Sequence, residues 1–199
     1  MNKRTNDSIF ACPITLALLL ANLICFALEV YFGGSEDAEV LVAMGACYAP
    51  LVTGGQFYRL FTCLFLHFGI THLMNNMLSL GAVGSFVENR LGHIRFLLVY
   101  LAGGIFGNVA SLAWDIFRAR SVVSAGASGG VFALFGGITY MVIAREPQMQ
   151  GIRIGRLAIA LFFLLAGTFG EPDIDIAAHI GGFIGGFCCA GLLLFKLDR

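Results

Sequence analysis

The chain has 199 residues, of which 58% belong to the hydrophobic set and a further 26 are glycine, while charged residues make up only 12%. Soluble domains average about 45–50% apolar with glycine included and about 25% charged, so a water-soluble fold of this size could not bury the apolar surface, and a bilayer is the expected solvent. The formal net charge is zero, which gives no footing for nucleic acid or an acidic partner.

Lys3 and Arg4 precede an apolar run over Phe10–Phe32. It is too long for the apolar core of a signal peptide and no small-residue cleavage site follows it, so it reads as a retained first span. The connection that follows, Gly33–Gly69, is long. Its apolar segment Leu41–Val52 is broken by Gly45 and Pro50, too short to cross, and is expected to lie in the outer interface. Further stretches near the length of a span, about 20 residues, are Ile70–Val87, Phe96–Ala113, Ser128–Ala144, Leu157–Gly170 and Ile174–Phe195. None alternates like a barrel strand, so all should be helices, because lipid cannot satisfy an open backbone. The expected fold class is an all-α membrane protein, a six-transmembrane-helix bundle forming one domain over 1–199. The six cysteines fall mostly in apolar runs without zinc spacing and read as small buried hydrophobes.

Lysine and arginine set the orientation. With a cytoplasmic N-terminus, one side holds Lys3, Arg4, Arg90, Arg95, Arg145, Arg153, Arg156, Lys196 and Arg199, and the other only Arg59, Arg118 and Arg120. Both termini are therefore expected in the cytoplasm, and spans two, four and six run from outside to inside.

Polar residues at membrane depth are costly and mark function by default. Three groups stand out. Ser128, in Gly126-Ala127-Ser128-Gly129-Gly130, opens span four. Free N–H groups at a helix N-terminus point there at whatever is bound, and glycine lets a substrate backbone approach. A lone serine bonded to a backbone carbonyl is the bland alternative. His179 lies near the outer start of span six, followed by Gly182 and Gly186, a small-residue face able to pack on Gly129, Ala133 and Gly137 of span four. Imidazole titrates near neutrality and suits a general base. In the third group, His72 and Asn76 stand four apart on one face of span two and could both donate to an oxyanion. His67 and His72 are five apart with no carboxylate close by, which argues against a metal, and His67 is given a structural role at the interface. Charge bias alone brings all three groups to the same outer level.

These residues resemble the rhomboid proteases over roughly Tyr58 to the C-terminus. The resemblance rests on Gly126-Ala127-Ser128-Gly129, on Ala178-His179 with Gly182 and Gly186, on His67, His72 and Asn76, and on Glu88-Asn89-Arg90, similar to the family's polar cluster at the inner end of span two. It implies Ser128 as nucleophile and His179 as base in a water-filled cavity. It also implies cleavage of single-span membrane proteins near their outer boundary, no cofactor and no metal, and a multi-pass position in the plasma membrane, the inner membrane of a bacterium. His72, Asn76 and Gly126 would serve the oxyanion and substrate. Tyr58-Arg59 stands where the family often has Trp-Arg, Cys63 where some members have histidine, and Phe132 where a tyrosine often supports the imidazole; a phenyl ring can still stack there.

Gly126-x-Ser128-x-Gly130 also matches the nucleophile elbow of α/β-hydrolases, with Asp173 or Asp175 before His179, but the strand and sheet of that fold are missing from the pattern. A transporter, or a catalytically inactive rhomboid-like binding protein, is the alternative function. No inverted repeat supports a transporter, and an inactive relative would usually have lost Ser128 or His179.

Overall fold

A computed structural model of the chain describes residues 11–144, Phe162 and 175–195. Helix α1 (Pro13–Phe32) begins with proline in its first turn and ends at Gly33, where φ is +141°. Its N-terminus has no cap from its own chain neighbourhood. The cap comes from Glu88, whose carboxylate accepts the N–H groups of Ile14 (3.0 Å) and Thr15 (2.7 Å).

The following loop is folded. Helix α2 (Ala38–Met44) is capped by Asp37 and stopped by Gly45, with φ +108°. Strand β1 (Cys47–Tyr48), α3 (Ala49–Thr53), α4 (Arg59–Thr62) and a 3-10 turn (Cys63–Phe65) come next. Pro50 starts α3 instead of merely breaking the apolar segment. Arg59 holds the loop together from inside. It is 5% exposed and donates to the carbonyls of Val42 (2.7 Å) and Ala46 (2.9 Å) and to Gln56 Oε1 (2.7 Å). The arginine thus anchors the loop although tyrosine precedes it.

Helices α5 (Gly69–Leu91), α6 (His93–Phe117), α7 (Ser128–Ile143) and α8 (Ile176–Phe195) build the rest of the bundle. Three segments among the described residues are long and apolar enough to cross a membrane: α1, α6 and Ile176–Leu194. Helix α7 is apolar but shorter, and α5, at 23 residues, is long but more polar. The chain is a helical, multi-pass membrane bundle. The expected fifth span, Leu157–Gly170, lies outside the described residues apart from Phe162. Helices α5 and α6 both outrun their apolar stretches, α5 to Leu91 and α6 from His93 to Phe117. Polar end residues continue a helix once its interior turns are paired.

Helices α6, α7 and α8 form the tightest unit. Gly182 lies against the Gly129 backbone and Gly186 against Ala133, so a Cβ at either position would strike the neighbouring helix. Gly137 is less tightly held: a Cβ there would stand 3.3 Å from Val99 Cγ1 of α6 and 3.7 Å from Ala190 Cβ of α8. The other flank of α8 meets α6, where Gly107 faces the Ala178 carbonyl and Gly182 and where Gly103 faces Gly186. A two-residue strand β2 (Val123–Ser124) pairs antiparallel with β1, Cys47 opposite Ser124. All six cysteines lack disulfides; Cys12, Cys47 and Cys63 are buried, whereas Cys188 is exposed, contrary to the expectation of burial.

Candidate active site

Ser128 is the first residue of α7, entered through Gly126, which has φ +148°. Such a backbone favours glycine, and it turns the chain from β2 sharply into the helix. The Gly126 N–H is held by the Cys63 carbonyl at 2.9 Å. His179 lies in the first turn of α8, on the helix that the glycine contacts press against α7. The result is a 3.0 Å contact between His179 Nε2 and Ser128 Oγ, with both residues half-buried. That is the geometry a serine needs for activation by a neighbouring base.

Phe132, four residues after Ser128, presents its ring to the same imidazole. The centroids are 4.3 Å apart and the planes lie 25° from parallel. His72 faces the nucleophile loop: a Cβ on Gly126 would stand 3.0 Å from His72 Cε1, 3.1 Å from its Nε2 and 3.6 Å from Ser128 Oγ. Gly126 therefore keeps open the space between His72 and the serine. Asn76 is buried and its Nδ2 donates to the His72 carbonyl at 3.0 Å, while Oδ1 has no protein partner. One amide hydrogen is thus engaged within α5.

His67 sits beneath this site, fully buried, its ring edge-on to that of His72 at 5.2 Å. Its Nε2 accepts the Ala127 N–H at 3.4 Å, and its backbone N–H donates to Glu29 Oε1 at 3.1 Å. Burial, with help from neighbouring His72, holds the His67 imidazole well below its usual range, so it is neutral. Sequence reasoning gave His67 a structural role and placed Glu29 near the outer end of its span without assigning it a role; its carboxylate is fully buried near the end of α1. The signal available was a lone acid in an apolar run.

Asp173 lies outside the described residues. Asp175 caps α8: its Oδ1 accepts the Ala178 N–H at 2.9 Å, and its Oδ2 accepts the hydroxyls of Ser111 and, at 2.7 Å, Ser124. Among the described residues no group of three or more His, Cys, Asp or Glu side chains is gathered as for a metal ion.

The family model for the rhomboid domain matches residues 54–196. The chain is 39% identical over 178 residues to the rhomboid protease GluP of Bacillus subtilis (strain 168), covering 89% of this chain and 34% of that protein. It is 36% identical over 149 residues to YdcA of the same strain, a candidate rhomboid protease, covering 74% of this chain and 73% of YdcA. RHOMBOID-like protein 5 of Arabidopsis thaliana is 34% identical over 154 residues, covering 77% of this chain and 49% of that protein. The chain thus spans about a third of GluP and about half of the plant relative.

Proposed function

The chain belongs to the rhomboid family, and on that premise we propose that it is an intramembrane serine endopeptidase cutting single-span membrane proteins near their outer boundary. The observation that carries this reading is the 3.0 Å contact between Ser128 Oγ and His179 Nε2 at the start of α7. His179 takes the hydroxyl proton as Ser128 attacks the scissile carbonyl. The negative charge that develops on the carbonyl oxygen is met by the Ser128 N–H, His72 and Asn76. The amine leaves with the proton from His179, and water then hydrolyses the acyl-enzyme through the same base. The unit proposed is one rhomboid-type membrane domain over 1–199 with an outer loop over 33–69, both termini cytoplasmic, in a bacterial plasma membrane.

A substrate helix has its carbonyls tied up in intrahelical bonds. Ser128 can attack only an unwound segment, and unwinding is least costly where water reaches the backbone. Substrates should therefore carry glycine, proline or other poor helix formers near the outer boundary. The direct test treats the membrane-reconstituted protein with a serine-directed fluorophosphonate and identifies the modified residue by mass spectrometry, alongside cleavage of a model substrate. Covalent label on Ser128, absent from Ser128→Ala, is the expected outcome. A wild-type protein that neither labels nor cleaves would overturn the enzyme reading in favour of a binding role.

A further inference from the structure

Ser128 and His179 are joined by one contact, and four residues before each of them the same two segments are joined again. Ser124 stands four residues before Ser128, and Asp175 four residues before His179. The Ser124 hydroxyl donates to Asp175 Oδ2 at 2.7 Å. The same oxygen accepts the Ser111 hydroxyl from α6. The other oxygen, Oδ1, caps α8 at the Ala178 N–H, and the Asp175 carbonyl receives the His179 N–H at 3.1 Å. One carboxylate therefore ties together α6, the strand that leads into the nucleophile loop, and the first turn of the helix carrying the imidazole.

We propose that Asp175 is a positioning residue for the Ser128–His179 pair, acting through the Ser111–Asp175–Ser124 clasp and not as the acid of a triad. The inference rests on the protease reading above. Both oxygens of Asp175 are occupied by groups other than the imidazole, which is how the clasp differs from a triad, where the acid holds the imidazole N–H. The glycine contacts fix how closely α8 packs on α6 and α7. They reach the first turn of α8 at the Ala178 carbonyl, against Gly107, whereas the N–H groups of that turn are held by the Asp175 cap. A rotation of one residue is about 100°, enough to carry the imidazole away from Ser128. The clasp blocks that rotation by fixing the height of Asp175 against Ser124.

The test is a set of variants in the full-length protein in liposomes, with turnover expressed per phosphonate-labelled molecule. Asp175→Ala should lower kcat by roughly ten- to hundred-fold with little change in KM, the scale expected when a reacting group is misplaced by about 1 Å. Asp175→Asn should restore kcat to within about three-fold of wild type, because an amide still caps Ala178 and serine hydroxyls can turn to accept from it. Ser124→Ala should lower kcat less, and its effect should largely vanish in the Asp175→Ala background, because the two share one interaction. A fall near 10⁴-fold in Asp175→Asn, the scale of a triad that loses its acid, would overturn the proposal. So would an Asp175→Ala protein with wild-type kcat, or additive Ser124 and Asp175 effects. If wild type itself neither labels nor cleaves, the protease reading fails, a result distinct from each of these.

Discussion

At one end of the bundle the carboxylate of Glu88, 1% exposed, accepts four hydrogen bonds: from the Ile14 and Thr15 N–H groups, from the Thr15 hydroxyl at 2.7 Å, and from His93 Nδ1 at 2.6 Å. At the Ser128 end, Glu29 Oε2, His67 Nδ1 and Asn76 Oδ1 are equally buried and have no partner among the protein's own groups. Both ends place polar side chains where an apolar one would be cheaper. At the Glu88 end the polar atoms are spent on one another, and the product is a fixed junction between α1, α5 and the start of α6. At the Ser128 end they are left partly unspent, a costly state that persists only where something else repays it. Asn22 Oδ1 and Tyr100 Oη are buried without a partner as well, so a missing partner narrows the search for a site without defining one.

The largest effects should come from the unspent end. Ser128→Ala and His179→Ala should each lower cleavage of a model substrate by about 10⁴-fold or more while leaving thermal unfolding of the protein near wild type. Near-normal turnover by either purified variant would remove the distinction between the two ends. Next come the oxyanion groups. Asn76→Ala and His72→Ala should cost on the order of 10²–10³ in kcat, the scale for one lost donor, with KM little changed. Asn75→Ala, on another face of α5 and only half-buried, should be mild. Equal losses at Asn75 and Asn76 would count against the assigned face.

The Glu88 end should show the reverse pattern. Glu88→Ala removes a carboxylate that caps α1 and strands two helix N–H groups, and should destabilise the protein by about 2–4 kcal/mol. The kcat per phosphonate-labelled molecule should stay within about two-fold of wild type. A Glu88 variant that is stable but slow would show that the two ends are coupled.

Much of the Ser128 end was legible in the sequence, because its chemistry is carried by residue types that are out of place locally. A serine opening an apolar helix, a histidine heading a run of glycines and a His72–Asn76 pair on one helix face each announce themselves within a few residues. The junctions were not legible, because their partners are distant in the chain. Glu88 reaches Thr15 across 73 positions and Asp175 reaches Ser111 across 64. The β1–β2 pairing is two residues long and leaves no alternation to read. Gly103 and Gly107 of α6 sit in an ordinary apolar helix pattern, and only the packing of α8 against them requires glycine there.

His67 offers a further contrast between the ends. Its imidazole is buried and neutral, with its proton affinity depressed by that burial. Unfolding releases it to its ordinary range, about 6.5, so the unfolded chain binds a proton that the folded one does not. Stability from this site is fully present above that pH and is lost as pH falls below it. Thermal unfolding of wild type should therefore weaken more steeply between about pH 6.5 and pH 5 than that of His67→Gln. Parallel curves would mean that His67 takes up its proton while still folded.

The smallest effect expected at the Ser128 end belongs to Phe132. Helix α7 delivers both the nucleophile and, one turn later, the ring on which His179 lies at 4.3 Å. The ring neither donates nor accepts a proton, so it can only hold the plane of the imidazole while the 3.0 Å contact with Ser128 remains available. Aromatic pairs of this kind contribute about 0.5–1.5 kcal/mol beyond their buried area, which corresponds at most to roughly a ten-fold change in rate. Phe132→Ala should therefore lower kcat by about three- to ten-fold, and Phe132→Leu by nearly as much, because bulk without a flat face does not fix the ring plane. Phe132→Tyr keeps the face and should stay within about two-fold of wild type. The rate of phosphonate labelling should fall in the same order as kcat, since both depend on His179 drawing the proton from Ser128. If Phe132→Ala labelled and cleaved like wild type, the stacking would be incidental packing. If it fell by 10³ or more, the ring would be holding the two helices together, and the orientation of the imidazole would not be a separate, minor contribution.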